Sequence, residues 1–349
     1  MGKYQFYISF NDKLHTASSK AINDCTRILT QQGYTDYNLH IKGSGRSYLG
    51  SILLQVLKLV FTIEAGSTVA IQYPLLSGNK VFKYIMSVLR LKKVKFFCIV
   101  HDLDDLRYRR QGDSNRHNET EILNCYDAIV VHNDVMKDWL YSKGITAPMV
   151  SLTIFDYLTD FKSEPVERRS SDQLQSIVFA GNLSKSGFLY ELGALASWHF
   201  NAYGPNYQRE KGSAVDNVAW RGSYSPEEIL SNIDGAFGLI WDGEHMDRLD
   251  DVFGNYLRYN NPHKLSLYLA AGLPVIAPRQ SAIASLIERH SVGILVDNLF
   301  VLKDLKISAA EYLTYEQNVY GLSDRIKTGY HLTKAISEVE CALASPISR

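Results

Sequence analysis

Asn261-Pro262-His263-Lys264-Leu265-Ser266-Leu267-Tyr268-Leu269-Ala270-Ala271-Gly272-Leu273-Pro274-Val275-Ile276 is the stretch from which the fold is read. Asn261 and Pro262 open a helix, because proline is tolerated in a first turn and asparagine can cap it. Leu265, Tyr268 and Leu269 recur at helical spacing, Gly272 ends the helix, and Leu273-Pro274-Val275-Ile276 reads as a short buried strand. His263 and Lys264 then fall in the first turn, behind the positive end of the helix. Free backbone N–H groups and a nearby cation bind phosphate at such a place. The plainer reading of the same residues is a surface cap with a solvated lysine.

Length and composition bound the rest. The 349 residues suit two domains of ordinary size, and a hydrophobic content of 46% supplies a sizeable core. The 37 Lys+Arg balance the 37 Asp+Glu, so no global charge points to nucleic acid. Cys25, Cys98, Cys125 and Cys341 lie far apart without a CxxC, which fits a reducing cytoplasm and gives no zinc signature. Met1 to Phe10 alternates and is not a signal peptide, and no apolar run is long enough to span a bilayer.

In the first half, strands are expected over Lys3–Phe10, Thr68–Tyr73, Val94–Val100, Ala128–Val131 and Met149–Ile154. Helices alternate with them over Ser18–Gln31, Asn79–Arg90, Glu119–Cys125 and Val135–Lys143. Such alternation predicts a doubly wound parallel sheet, in which loops at the carboxyl ends of strands form the ligand crevice. Asn11, Asp12, His15 and Thr16, after the first strand, are pocket candidates. His101-Asp102-Leu103-Asp104-Asp105-Leu106-Arg107, after a buried strand, offers a histidine and three carboxylates for general-base work; the same acids could instead cap the next helix. Arg46–Phe61 and Asn79–Arg90 are amphipathic, with Lys58, Lys83, Arg90, Lys92, Lys93 and Lys95 at their margins. Helices packed on the sheet with snorkelling lysines are the favoured reading, and a basic surface lying on anionic lipid is the other.

Lys162–Gln173 has the composition of a linker. A second α/β pattern follows, with strands over Ser176–Phe179, Trp198–Tyr203, Ala236–Trp241 and Gly293–Val296. Helices are expected from Ser225-Pro226-Glu227-Glu228 and over Ser281–His290, Ala309–Tyr320 and Asp324–Leu343, with Met246–Tyr259 irregular. The loop Ala180-Gly181-Asn182-Leu183-Ser184-Lys185-Ser186-Gly187 is small, glycine-bounded and carries a lysine, which suits close approach to a diphosphate. The domains are expected at 1–158 and 159–323, with 324–349 a terminal helix that can pack back on the first domain.

Five strings carry a resemblance over nearly the whole chain: Val100 to Arg107, Ile154-Phe155-Asp156-Tyr157-Leu158, Phe179-Ala180-Gly181-Asn182-Leu183-Ser184, Phe237-Gly238-Leu239-Ile240-Trp241-Asp242-Gly243, and Tyr259-Asn260-Asn261-Pro262-His263-Lys264. In this order they closely resemble bacterial β-1,6-galactofuranosyltransferases of O-antigen assembly. More distantly the chain is similar to the streptococcal glucosyltransferases that extend GlcNAc on serine-rich adhesins. The resemblance implies a GT-B architecture, with two Rossmann-like α/β domains facing a cleft. It departs from the retaining GT-B pattern at Leu267, where that pattern has a ribose-binding glutamate.

The resemblance further implies UDP-galactofuranose as donor, bound mostly by the second domain, with no metal and no cofactor. Gly181, Asn182, Ser184 and Lys185 would meet the diphosphate, with Asn260, Asn261, His263 and Lys264 completing the anion site. Tyr203, Gly204 and Tyr224 would form the uracil pocket, and Trp241 and Asp242 would sit by the sugar or ribose. Inversion needs a carboxylate in the first domain to deprotonate the acceptor; Asp102 and Asp105 are the candidates and His101 the third. Arg107 orients them or forms a structural ion pair. The implied acceptor is a lipid-linked glycan, which is compatible with peripheral contact at the cytoplasmic membrane face and with a homo-oligomer. Glucosyl transfer from UDP-glucose to a GlcNAc-modified protein, a non-catalytic GT-B-like subunit, and a GT-B epimerase are the competing readings.

Overall fold

The computed structural model describes residues 2–7, 17–38, 54, 57–74, 79–107, 119–162, 171–212 and 215–344. Among them, twelve strands form two sheets of six, with every pairing parallel. The first comprises β1 (Lys3–Tyr7), β2 (Thr35–Asn38), β3 (Thr68–Tyr73), β4 (Lys95–Val100), β5 (Ala128–Val131) and β6 (Met149–Ser151), in the order β2-β1-β3-β4-β5-β6. The second comprises β7 (Ser176–Ala180), β8 (His199–Tyr203), β9 (Val218–Gly222), β10 (Phe237–Leu239), β11 (Val275–Pro278) and β12 (Gly293–Val296), in the order β12-β11-β10-β7-β8-β9. Central strands such as Phe96-Phe97-Cys98-Ile99-Val100 are apolar at every position because helices cover both faces. Strand order reverses between β1 and β3 in the first sheet and between β7 and β10 in the second. Open α/β sheets bind ligands at the carboxyl ends of the strands at that point.

The helices that matter here are α1 (Ala17–Gln31), α2 (Asn79–Arg90), α3 (Asp104–Arg107), α4 (Asp134–Ser142), α5 (Val252–Tyr256), α6 (His263–Ala270), α7 (Ala309–Thr328) and α8 (Tyr330–Ala344). The opening stretch therefore folds as expected, with α6 running through Gly272, at φ 83°, into β11. Asn261 does not cap it: Pro262 is the capping residue, and the Asn261 side chain is used elsewhere. Gly238 lets α6 lie close on the sheet, since a Cβ there would come within 2.2 Å of the Tyr268 ring. The Tyr268 hydroxyl accepts from the Ala180 N–H at 2.8 Å, tying α6 to the end of β7.

The last two helices meet at Gly329, whose φ of 81° caps α7, rather than between Tyr320 and Asp324. The run that looked like one terminal helix is thus the end of α7 and the whole of α8. α8 leaves the second sheet and covers the first. Its Leu332, Ala335, Ile336, Val339 and Leu343 share a core with Ala70, Phe97, Ile99, Val130 and α1. Asp156 accepts the N–H groups of His331 and Leu332, at 3.2 and 2.7 Å, in the first turn of α8. Lys20 and Asp24, both buried, hold the outgoing chain: the ammonium bonds Asp24 and the Leu158 carbonyl, each at 2.7 Å, and Asp24 accepts from the Leu158 N–H at 2.9 Å. These bonds offset the desolvation that burying two charges costs.

Other departures have local causes. β2 and β9 are short edge strands: β2 is polar, and β9 has only the three apolar residues Val218-Ala219-Trp220 to announce it. Ser225–Glu228 starts no α-helix; Glu228 accepts from the Ser225 N–H, and only a 3-10 turn over Ile229–Ser231 follows. The segment after Asn182 is also 3-10, over Leu183–Lys185 and Gly187–Leu195, and Met246–Tyr259 is not irregular throughout but contains α5. Most of Arg46–Phe61 and of the linker Lys162–Gln173 lie outside the described residues. No helix among the described residues is long and apolar enough to cross a membrane.

Candidate active site

At the switch point of the second sheet, β7 runs into Gly181, β10 into Trp241 and Asp242, and the start of α6 lies across both. Lys264 is the residue these elements share. Its Nζ donates to Asp242 Oδ1 at 2.6 Å and to the Trp241 carbonyl at 3.0 Å, and stands 4.4 Å from the centre of the Phe179 ring. A Cβ on Gly181 would lie 3.1 Å from Lys264 Cε, so the bare backbone of this loop is what admits the lysine stem. Gly204 backs the same loop: at φ 137°, a Cβ there would fall 1.8 Å from the Gly181 carbonyl. Asn182 Oδ1 caps the following 3-10 turn, accepting from Ser184 N–H, Ser184 Oγ and Asn206 Nδ2. Lys185 projects from that turn, 4.8 Å from the centre of the Phe253 ring. Burial pulls its pKa down, with Arg107 and Lys264 adding to the effect and Asp242 and Asp102 opposing it.

Those four neighbours reveal the geometry of the cleft, because two of them belong to the first domain. β4 ends in His101 and Asp102, and α3 follows. Asp102 Oδ2 accepts from Arg107 at 2.5 Å, and Oδ1 accepts from the hydroxyl of Tyr256, across the cleft on α5, at 3.2 Å. The same hydroxyl accepts the Leu103 N–H at 3.3 Å. Burial raises the Asp102 pKa, opposed by Arg107 and Tyr256. A carboxylate raised in this way, yet held by two donors, is suited to taking a proton near neutral pH. His101 stacks on Phe155, and its Nε2 is 2.8 Å from Gln72 Oε1; burial lowers its pKa to about 4. Asp105 lies in the first turn of α3, whose Asp104 and Asp105 N–H groups are capped by Glu119 at 3.1 and 2.7 Å. Glu119 also accepts from the Tyr73 hydroxyl at 2.9 Å, and burial raises its pKa to about 7.

Gly181, Lys185, Asp242 and Lys264 thus come together on one side, and Asp102, Arg107 and the Asp105 turn on the other. Several expected contributors lie elsewhere. Tyr203 is buried, and its hydroxyl accepts from the Asp234 N–H at 3.0 Å, so it belongs to the core; Tyr224 is exposed, its ring 6.3 Å from that of Tyr203. Trp241 is fully buried, with Nε1 on the His245 carbonyl, and offers the cleft only its own carbonyl. Asn260 has a buried Oδ1 without a partner among the described residues. Asn261 serves the interdomain contact. Its N–H donates to His132 Nδ1 at 3.0 Å, its Nδ2 to the carbonyls of His132 and Thr153 at 2.5 and 3.0 Å, and its Oδ1 accepts from Asn133 at 2.8 Å. His263 packs between Phe155 and Tyr157 at the same contact, with Nε2 shut from solvent. Asn11, Asp12, His15 and Thr16 lie outside the described residues.

Tyr256, Glu119, Gln72 and His132 were not singled out by the sequence. Tyr256 sits in a stretch without periodicity, and Glu119 opens a short helix where an acid is an ordinary residue. Only their partners mark them.

Comparison with known proteins agrees with this fold. The chain matches family models described as the glucosyltransferase 3-like N-terminal domain over residues 5–154 and C-terminal domain over residues 177–339. It is 33% identical over 270 residues to the β-1,6-galactofuranosyltransferase WbbI of Escherichia coli K12, covering 74% of this chain and 76% of that protein. It is 25% identical to glucosyltransferase 3 of Streptococcus gordonii, covering 90% of this chain and 92% of that one. Among solved structures, a trehalose-phosphate synthase of Burkholderia vietnamiensis superposes with a TM-score of 0.57 at 10% identity, covering 99% of this chain and 100% of that chain. S. aureus TarM superposes at 0.54 and 12% identity, covering 84% of this chain and 59% of that chain. These likenesses show the two-domain GT-B fold, and the chain belongs to the glucosyltransferase 3-like family of glycosyltransferases.

Proposed function

We propose that the protein transfers galactofuranose from UDP-galactofuranose to a sugar hydroxyl of a growing glycan, forming a β-1,6 linkage with inversion. The acceptor is a glycan carried on a lipid, met at the cytoplasmic face of a membrane, and the reaction needs no metal. The observation that carries the reading is Lys264 at the switch point, bonded to Asp242 and pressed against Gly181, with Asp102 facing it from the other sheet. The similarity to the galactofuranosyltransferase supports galactofuranose as the sugar.

In this reading the acceptor oxygen attacks C1 of the donor sugar, and the bond from C1 to the β-phosphate oxygen breaks. Asp102 takes the acceptor proton, with Arg107 and Tyr256 fixing its orientation. Charge developing on the departing diphosphate is neutralised by Lys264 and Lys185, which are already partly stripped of water. Preorganised cations of this kind are the largest source of acceleration in such sites. Asp105 and His101 are less suited as the base: the Asp105 turn is tied to Glu119, and His101 is occupied by Gln72.

The test is release of UDP from UDP-galactofuranose and from UDP-glucose, with and without EDTA, on wild type and Asp102→Asn. Turnover of UDP-galactofuranose that survives EDTA and falls at least about a hundredfold in the variant is expected. Turnover of UDP-glucose alone overturns the donor and favours the glucosyltransferase reading, which the match to a streptococcal relative over 90% of this chain supports.

A further inference from the structure

Exposed large apolar side chains are scattered singly over most of the described surface, as is ordinary for a folded protein. Five instead share one face of the first domain. Tyr84, Val88 and Leu91 form a stripe along the outer side of α2 and the turn after it. Leu57 and Phe61 form another on the helical turn over 57–62. Phe61, Tyr84 and Leu91 are 84%, 76% and 85% exposed, values far beyond snorkelling or packing against a neighbour. The opposite side of α2 supplies Phe82, Ile85, Met86 and Leu89 to the core. Packing on the sheet therefore accounts for the inner half of this helix only. Lys92 joins the two stripes, its Nζ donating to the carbonyls of Val60 (2.8 Å) and Ile63.

Charge decides what covers this face. Glu64 is the sole acid between residues 54 and 93, against Lys58, Lys80, Lys83, Arg90, Lys92 and Lys93. Lys83 is paired with Glu121 and Arg90 with Asp127. Lys58 stands over the Tyr37 ring, Lys92 bonds only carbonyls, and Lys93 is exposed, so none of these three charges is neutralised by a described carboxylate. A two-fold contact between copies would set this basic rim against itself. An anionic surface satisfies both the stripe and the rim.

We propose that this face docks the protein on an anionic lipid bilayer. Leu57, Phe61, Tyr84, Val88 and Leu91 enter the boundary between headgroups and acyl chains, and Lys58 and Lys93 lie at the level of the lipid phosphates. α2 starts after β3, on the carboxyl-end side of the first sheet that faces the cleft, so a bilayer along this helix approaches the acceptor side of the active site. The inference deepens the lipid-linked acceptor reading above and names the surface that serves it.

The experiment is co-sedimentation with vesicles of phosphatidylethanolamine and phosphatidylglycerol, and with vesicles of phosphatidylcholine alone. The proteins are wild type, Phe61→Ser/Leu91→Ser and Lys58→Gln/Lys93→Asn. Wild type is expected to sediment with the anionic vesicles and to release at raised salt. Each double variant is expected to partition at least about tenfold more weakly, while transferring sugar to a short soluble acceptor as wild type does. Failure of wild type to bind anionic vesicles, or equal binding by both variants, overturns the proposal. So does a dimer, seen by light scattering, that Phe61→Ser/Leu91→Ser dissolves. Loss of transfer from every donor with vesicle binding intact would sink the enzymatic reading and leave the docking surface standing.

Discussion

Replacing Lys264 by methionine removes the cation at the centre of the donor side while keeping a stem of similar length over Phe179. The ammonium makes hydrogen bonds of 2.6 Å to Asp242 and 3.0 Å to the Trp241 carbonyl, and its side chain is 16% exposed. A charge-assisted hydrogen bond from such a group to a diphosphate oxygen contributes about 1.5–3 kcal/mol, or roughly 10- to 150-fold in Kd. Asp242 loses its counter-ion in the same step and repels the diphosphate, which drives the loss toward the upper end. Lys185 and Arg107 remain, so binding weakens without vanishing. The cost in stability is small, about 1 kcal/mol, because water reaches the Asp242 carboxylate, which is 26% exposed. Calorimetric titration with UDP in EDTA, with a thermal melt on the same samples, reads both quantities. A folded Lys264→Met protein that binds UDP as tightly as wild type would refute the assignment of the α6 start as the donor anion site.

Tyr256→Phe removes one of the two donors to Asp102 and is expected to lower kcat about tenfold. The lost hydrogen bond had favoured the carboxylate, so the acid limb of the kcat profile moves to higher pH; a profile that keeps its midpoint contradicts the role. Stability should rise as pH is raised from about 4 to about 6.5. Burial holds His101, His132 and His263 at about 4, 3 and 3, so the unfolded chain binds more protons across that window. Each histidine contributes roughly 3 kcal/mol of rise across this window. Glu119 and Asp156, pushed up to about 7 by burial, act in the opposite sense and reduce the rise without cancelling it. Melting temperatures that are flat or falling over this range would contradict the neutral histidine cluster.

How far the sequence could be read depended on whether a feature was local. β4, β7 and β11 are continuous apolar runs, and α6 carries its own proline start and glycine stop, so their identity needed no partner. Lys264 and Gly181 were likewise visible as a helix-start cation and a bare loop. What could not be read was which polar atoms already had partners. Asn261 and Tyr203 carry the residue types of a binding site, yet their hydrogen bonds run to His132 and to Asp234, fixed by tertiary contacts far away in the chain. Tyr256 shows the converse: its sequence surroundings are featureless, and it meets Asp102 only because the two sheets face each other.

The route of α8 bears on how this protein comes to be made. Synthesis completes all six strands of the first sheet by Ser151, but the helix that covers Ala70, Phe97, Ile99 and Val130 is not reached until Tyr330–Ala344. Throughout the synthesis of the second domain, the part of that sheet face which α1 does not cover therefore remains apolar and bare. Such a nascent surface is sticky, and it invites either a chaperone or a wrong partner. Final sealing of the first domain is a late event, in which the arriving helix docks under the Asp156 carboxylate. The order of assembly is thus the reverse of the order of the sheets in the chain: the domain begun first is the one finished last.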